Sequence, residues 1–97
     1  MTQQLQHLAG AYFHQDYDLD SESPDSVVDA FREGEGDASA AELVSEIDRL
    51  LASRLAEREM LDLWVVAWGA SYDPHDSGRD MRGWLTAVRN RQSNRAP

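Results

Sequence analysis

An alternating run of polar residues near the amino terminus is the first candidate for chemistry in this sequence. His14, Asp16, Asp18 and Asp20 occupy every second position, and imidazole and carboxylate groups are ligands that zinc and calcium take in proteins. Alternate residues of an extended chain project to one side, but no further residue supplies a closing ligand at a fixed distance. The run therefore favours a polar loop, and metal binding by His14, Asp16 and Asp18 is kept as an alternative.

A second candidate resembles the start of a calcium-binding loop. Asp73, His75, Ser77 and Gly78 match the first, third, fifth and sixth positions of such a loop, whose twelfth position requires a bidentate Glu. That twelfth position is Trp84 here. Because the decisive ligand is missing, we expect Gly78 to serve the turn before a following helix.

The sequence shows none of the usual arrangements of catalytic residues. General acid and base catalysis needs carboxylates, or a carboxylate and His, in a water-poor cleft, whereas the acidic residues here crowd into segments with little apolar cover. The sequence contains no nucleophile motif, phosphate-binding glycine loop or dinucleotide fingerprint and no cysteine. We expect a binding protein that is not an enzyme and that uses no metal or other cofactor.

Charge is the bulk property that says most about partners. The 97 residues carry 18 acidic and 9 basic side chains, a formal net charge of -9, and every base is Arg. Residues 1–48 hold 12 of the acids and one base, Arg32, whereas residues 79–95 hold five Arg and only Asp80. Nucleic acid and anionic lipid repel such a chain and basic proteins attract it. We expect a protein partner, with no nucleic acid and no membrane; a solvated acidic face is the alternative.

The sequence has no recognisable targeting signal. Residues 1–10 lack the basic and apolar regions of a signal peptide, and the longest apolar stretch, Leu61–Ala70, is too short to cross a bilayer. Together with the absence of cysteine, this predicts a cytoplasmic protein, taken to be a monomer.

Apolar residues recur at helical spacing in five segments. Leu5, Leu8, Ala9 and Tyr12 fall at i, i+3, i+4 and i+7, which gathers them on one face of a helix, and Gly10 among them indicates a close packing neighbour. The predicted helices are residues 3–13, a short helix from Ser23-Pro24 to Gly34 and Gly36, residues 40–55, residues 57–68, and a last helix that ends near Arg91.

The connections and helix ends follow from local signals. Capping boxes are predicted at Ser39/Glu42 and Ser77/Asp80. Because Leu63–Trp68 is apolar on every side, the helix over 57–68 is predicted to be central, surrounded by the others and closed by Gly69. Loops are predicted over residues 14–22, 33–37 and 71–78, with frayed residues at 93–97.

These elements predict an all-α fold, a compact single-domain bundle of about five helices over residues 1–97. Rings at helical spacing are expected in its core: Tyr12, Phe13, Phe31, Trp64, Trp68, Tyr72 and Trp84. Tyr17 stands apart, because it lies between Asp16 and Asp18, where a ring flanked by charge suits an interface anchor. The alternative is that Tyr17 folds back onto the helices.

Two stretches together resemble a known family. The run Ala11-Tyr12-Phe13-His14-Gln15-Asp16-Tyr17-Asp18-Leu19, followed by Ser23-Pro24, is similar to the opening of immunity proteins of bacterial contact-dependent growth inhibition systems. Tyr72-Asp73-Pro74, then Gly78 and Arg82-Gly83-Trp84-Leu85, resemble their ending. The resemblance implies a compact helical protein that binds and blocks the C-terminal toxin domain, often a nuclease, of a large secreted adhesin.

The resemblance also separates two roles for the residues. His14, Asp16, Trp84 and Leu85 belong to the shared motifs and are expected to serve folding, whereas recognition of one toxin requires other, exposed residues. The acidic surface is the predicted toxin-binding site, and it comprises Asp16, Tyr17, Asp18, Asp20, Glu22, Asp25, Asp29, Glu33 and Glu35. The competing functions are a small helical adaptor or regulatory protein with another basic partner, and a metal-binding protein.

Overall fold

The structure, a computed structural model, describes residues 2–14 and 23–93. Within these ranges the chain forms five helices and no strand, so the predicted all-α fold is confirmed. Every helix there is too short or too polar to cross a membrane. The helices are α1 (Gln3–His7, continued by a π-helical turn over Leu8–Tyr12), α2 (Pro24–Glu35), α3 (Asp37–Ala52), α4 (Glu57–Asp62, continued by a π-helical turn over Leu63–Ala67) and α5 (Met81–Ser93), with one 3-10 turn over Pro74–Ser77 before α5.

Short polar side chains begin α2 and α5. Ser23 Oγ accepts the backbone N–H of Ser26 at 3.2 Å, and Pro24 takes the first helical position, where its missing N–H costs nothing. Asp80 Oδ1 accepts the N–H of Gly83 at 2.7 Å in the same way. The predicted start of α2 is confirmed. The predicted pair Ser77/Asp80 is wrong, because Ser77 lies in the preceding 3-10 turn and Asp80 alone caps α5.

The linker predicted over residues 33–37 does not form. α2 continues through Gly34 to Glu35, and the single residue Gly36 separates it from α3. Gly36 has φ of +90°, a conformation that residues with a Cβ rarely adopt. One glycine therefore makes the whole corner between the two helices.

The start and end of α3 differ from the prediction. Because the helix begins at Asp37, Ser39 lies inside it, and the predicted Ser39/Glu42 capping box is wrong. Glu42 instead accepts a hydrogen bond from the Gln4 side-chain amide at 2.7 Å. The helix ends at Ala52, three residues early, because residues 53–55 turn the chain towards α4.

α3 and α5, not α4, form the centre of the bundle. They pack against each other along their length, and α1 and α2 cover α3. α4 packs mainly against α5 through Met60 and Trp64, which are fully buried, whereas Val66 is 75% exposed. The prediction that α4 is surrounded by other helices is wrong: its apolar residues lie on two faces, and the fold covers only one of them.

A cluster of aromatic rings joins α1, α4 and α5. Phe13 stacks on Tyr72, with ring centroids 5.6 Å apart, and meets Trp84 edge-on at 5.5 Å. Trp64 packs edge-on against Trp84 at 5.9 Å, and its Nε1 donates to the backbone oxygen of Tyr72 at 2.8 Å. Such ring pairs stabilise by about 0.5–1.5 kcal/mol each beyond the area they bury. Of the rings predicted to be core, only Tyr12 and Trp68 are partly exposed.

The two π-helical turns meet end to end. A Cβ on Gly10 would lie 3.3 Å from the backbone oxygen of Trp68, so the glycine permits the close approach that the sequence indicates. The N–H of Ser71 donates to the oxygen of Phe13 at 2.7 Å across the same contact. Gly69, at φ of +76°, ends α4 as predicted. The contact fixes α4 against the end of α1.

Candidate protein-binding surface

The predicted toxin-binding residues fall into two groups. Asp16, Tyr17, Asp18, Asp20 and Glu22 lie outside the described residues, as does the interface role predicted for Tyr17. The others, Asp25, Asp29, Glu33 and Glu35, all lie on α2.

Arginines of the C-terminal region neutralise two of the α2 carboxylates. Arg91 on α5 donates from Nε to Asp29 Oδ1 at 3.0 Å and also pairs through its terminal nitrogens with Asp29 and Asp25. Asp25 lies 3.5 Å from Arg79 as well. The hydrogen bonds to Asp29 raise the pKa of Arg91. The acidic first half and basic end of the sequence are thus partly paired with each other.

Glu35 takes part in a different internal cluster. Tyr12 Oη donates to Glu35 Oε2 at 2.8 Å, and His7 Nε2 lies 3.1 Å from the same oxygen. Burial, followed by the hydrogen bond to Glu35 and its charge, raises the pKa of Tyr12 to about 12. The hydrogen bonds from Tyr12 and His7 lower the pKa of Glu35, against the opposing effect of burial.

Six exposed carboxylates have no ion-pair partner within residues 2–14 and 23–93. They are Glu33, Glu42, Glu59, Asp62, Asp76 and Asp80. Glu33 is the member of the predicted α2 set that keeps an uncompensated charge. Glu59 and Asp62 lie together on α4, a helix that the sequence assigned to the core. The unpaired acids on the folded surface are therefore not confined to the acid-rich first half of the sequence.

The residues considered for metal binding have structural partners where they are described. Asp73 Oδ1 accepts the backbone N–H of His75 at 2.9 Å and caps the 3-10 turn, while His75 Nε2 lies 2.8 Å from Glu57 Oε2. Gly78 ends that turn at φ of +77°, as predicted. No group of three potential metal ligands is formed by the described part of the chain, and of the set His14, Asp16 and Asp18 it includes only His14.

The shared motif residues that are described serve the fold. Trp84 and Leu85 are fully buried in the core. Arg82 donates to the backbone oxygens of Leu51, Ser53 and Leu55, at 2.9, 3.4 and 3.3 Å, and so satisfies carbonyl groups where α3 ends. Trp84 and Leu85 are therefore not available to a partner, whereas Arg82 is exposed.

Sequence reasoning missed the outward apolar face of α4. Met60 and Trp64 form one apolar face, and Leu63, Val66 and Ala67 form a second. A helix that lies at the edge of a bundle buries one face only. The presence of two apolar faces is the available signal, but in a sequence the same pattern is also typical of a helix that is buried on all sides.

Comparison with known proteins agrees with the fold and with the motifs. The family model described as CdiI immunity protein matches residues 1–92. A chain in the crystal structure of a CdiA-CT/CdiI complex from Y. kristensenii 33638 is 26% identical and superposes with a TM-score of 0.87, covering 95% of this chain and 97% of that chain. No curated protein matches the chain. Because the family match spans nearly its whole length, this chain belongs to the CdiI immunity protein family.

Proposed function

We propose that this protein binds the toxin domain of a contact-dependent growth inhibition adhesin and neutralises it in the cytoplasm of the cell that makes both. The observation that carries this proposal is the similarity to a chain of the CdiA-CT/CdiI complex, at 26% identity over 95% of the present chain. Nearly every element of one chain has a counterpart in the other. A surface used by that relative therefore has an equivalent position here.

The charge of the protein supports a basic protein partner. With a net charge of -9, the molecule attracts cationic surfaces over about one Debye length, roughly 8–10 Å at physiological salt, and speeds their association. A toxin that cleaves nucleic acid must present positive charge to phosphate. A nuclease is thus the toxin class whose surface best complements this one.

Several carboxylates of the described residues have structural roles, which supports inhibition by binding alone. The buried carboxylate of Glu46 holds backbone N–H groups of α1, and Glu57 binds His75 and the N–H of Met81. Asp29 and Glu35 are engaged by Arg91 and Tyr12. These acids stabilise the fold, and the protein acts without turning over a substrate.

The predicted acidic surface remains our proposal for the first encounter with the toxin. Asp16, Asp18, Asp20 and Glu22 precede α2 directly in the sequence, and Glu33 adds an uncompensated charge on α2 itself. Asp25, Asp29 and Glu35 are partly neutralised by internal partners, so they contribute less. Steering of this kind changes the association rate and its salt dependence more than the dissociation rate.

Growth rescue tests the function directly. The toxin domain encoded beside this protein is induced in cells with and without the protein, and a toxin domain with a non-cognate immunity protein serves as the specificity control. We expect full growth only when the cognate pair is present, together with co-purification of the two chains. Arrest of growth despite abundant, folded protein would contradict the proposal.

A further inference from the structure

A shallow groove lies on the side of α4 that faces away from the bundle. It has a volume of about 410 Å³ and is lined by Leu55, Glu59, Asp62, Leu63, Val66 and Ala67. Five of these residues follow the spacing i, i+3, i+4, i+7 and i+8 from Glu59, so they share one face of the helix. Leu55, in the segment between α3 and α4, closes one side.

The groove contains apolar surface that the fold itself does not use. Val66 is 75% exposed, and it is the one large hydrophobic side chain that is exposed in residues 2–14 and 23–93. Leu63 beside it is only partly buried. Contiguous exposed apolar surface with a polar rim is typical of protein–protein interfaces. α4 is already held by Met60 and Trp64 on its other face, so the fold does not require burial of this one.

Two carboxylates border this apolar surface: Asp62, and Glu59, whose Oε1 accepts the backbone N–H of Ala56 at 3.0 Å. Glu59 and Asp62 form no ion pair with any described residue, although Arg58 is on the same helix. Several other surface acids are paired with arginines, such as Asp29 with Arg91 and Asp48 with Arg89. The groove therefore combines exposed apolar surface with local negative charge.

The geometry points to this groove as the anchoring site for the toxin domain, occupied by an apolar side chain that the toxin presents between Lys or Arg side chains. This inference rests on the proposed function and adds the position of the contact. An apolar anchor in a pocket, enclosed by charged groups of opposite sign, is the arrangement that concentrates binding energy in an interface.

The charge of the groove disfavours other occupants. A second copy of this chain would bring the same Glu59 and Asp62 against each other across a symmetric contact, and like charges so placed repel. An anionic membrane surface is repelled for the same reason. A basic protein with an apolar projection satisfies both properties of the groove.

Two matched pairs of variants test the inference on the full chain, against the purified cognate toxin domain. V66D is compared with T86D, because Thr86 is an exposed residue of α5 and both changes add one negative charge. D62K is compared with D76K, because both reverse an exposed Asp that has no ion pair with a described residue and change the net charge equally. Within each pair the two variants change the long-range electrostatic attraction for a charged partner to a similar extent. A difference in affinity between them therefore indicates a local contact.

We expect V66D to weaken binding by at least about tenfold, mainly through faster dissociation, although its added negative charge favours a basic partner. D62K is expected to weaken it by about tenfold, whereas T86D and D76K stay within about threefold of wild type. Circular dichroism melting establishes that each variant is folded.

The other possible results distinguish failure of the groove assignment from failure of the proposed function. If the wild type binds tightly and V66D and D62K leave the affinity unchanged, the groove is not the anchoring site, while the proposed function stands. A loss of affinity in D76K alone would place the contact at the 3-10 turn before α5 and would contradict the groove assignment as well. A dimer of the isolated protein that V66D dissociates, with toxin binding unaffected, would assign the groove to a second copy. Absence of wild-type binding would overturn the groove and the proposed function together.

Discussion

The side chain of Glu46 on α3 caps the first helix of the molecule at Leu5. Glu46 Oε1 accepts the backbone N–H of Leu5 at 2.8 Å, and Oε2 accepts that of Gln4 at 3.0 Å. Glu46 is 4% exposed, and α1 has no capping side chain of its own. A carboxylate at a helix N-terminus satisfies free N–H groups and interacts favourably with the helix dipole. One residue of α3 therefore fixes both the position and the start of α1.

We predict that E46A lowers the free energy of unfolding by about 2–4 kcal/mol, because it removes two charge-assisted hydrogen bonds and leaves buried donors unpaired. E46Q should cost less, since its single amide oxygen can accept one of the two bonds. Urea unfolding measures both variants. E42A is the control, because Glu42 on the same helix is exposed and accepts a hydrogen bond from the Gln4 side chain; we expect a cost of about 0.5 kcal/mol or less for it. Equal costs for E46A and E42A would refute the capping role.

The two buried tryptophans should respond differently to substitution by Phe. Trp64 Nε1 donates to the oxygen of Tyr72, whereas Trp84 Nε1 is buried with no hydrogen-bond partner among the described residues. Both changes remove similar volume, but only W64F removes a hydrogen bond. We predict that W64F is more destabilising than W84F by about 1–2 kcal/mol, measured by circular dichroism during denaturation. An equal or larger loss for W84F would show that its Nε1 has a partner.

Stability should depend on pH through Glu35. Its pKa in the folded protein is lowered from the ordinary 4.5, chiefly by the hydrogen bond from Tyr12. The unfolded chain consequently binds this proton more readily, and the contribution of Glu35 is complete above pH 4.5 and lost as the pH falls through the folded pKa. We expect E35Q to be less stable at neutral pH and to show a flatter decline in acid. E33Q is the matched control, and identical acid profiles for wild type and E35Q would contradict the assignment.

Arg82 should stabilise the end of α3 through its three backbone acceptors. Its guanidinium reaches carbonyls of residues 51, 53 and 55, and Lys lacks the fork of donors that this requires. We predict a loss of about 1 kcal/mol for R82A and a similar loss for R82K, measured by thermal unfolding. Full stability of R82K would mean that charge near the helix end, and not the geometry of the guanidinium, is what matters.

Most of the helices were predictable because their signals are local. The apolar stripe of α2 and its Ser23-Pro24 start depend on neighbouring residues only, and both appear as expected. The corner at Gly36 was missed because two glycines in a short polar stretch indicated a loop. In the structure only Gly36 leaves the helical conformation, whereas Gly34 stays helical beside Tyr12, whose Oη would lie 2.8 Å from a Cβ at that position. That neighbour comes from another helix, so no local pattern reveals it.

The candidate site was harder to predict than the fold. Asp25 and Asp29 are acidic in the sequence, but Arg79 and Arg91 come from more than fifty residues away and neutralise them. Val66 is apolar in the sequence, but its exposure depends on which face of α4 the other helices leave uncovered. Charge pairing and exposure are tertiary properties. The sequence therefore predicts an acidic protein-binding surface, but it does not reveal which of its carboxylates are neutralised or which apolar residues are exposed.

Calorimetric titration of the isolated protein into its cognate toxin domain, with the activity of the toxin followed in parallel, tests the central claim most directly. The account predicts saturation at one molecule per toxin, a dissociation constant in the nanomolar range or below, and loss of toxin activity in proportion to the complex formed. No binding at micromolar concentrations, or a fully bound toxin that stays active, would contradict it.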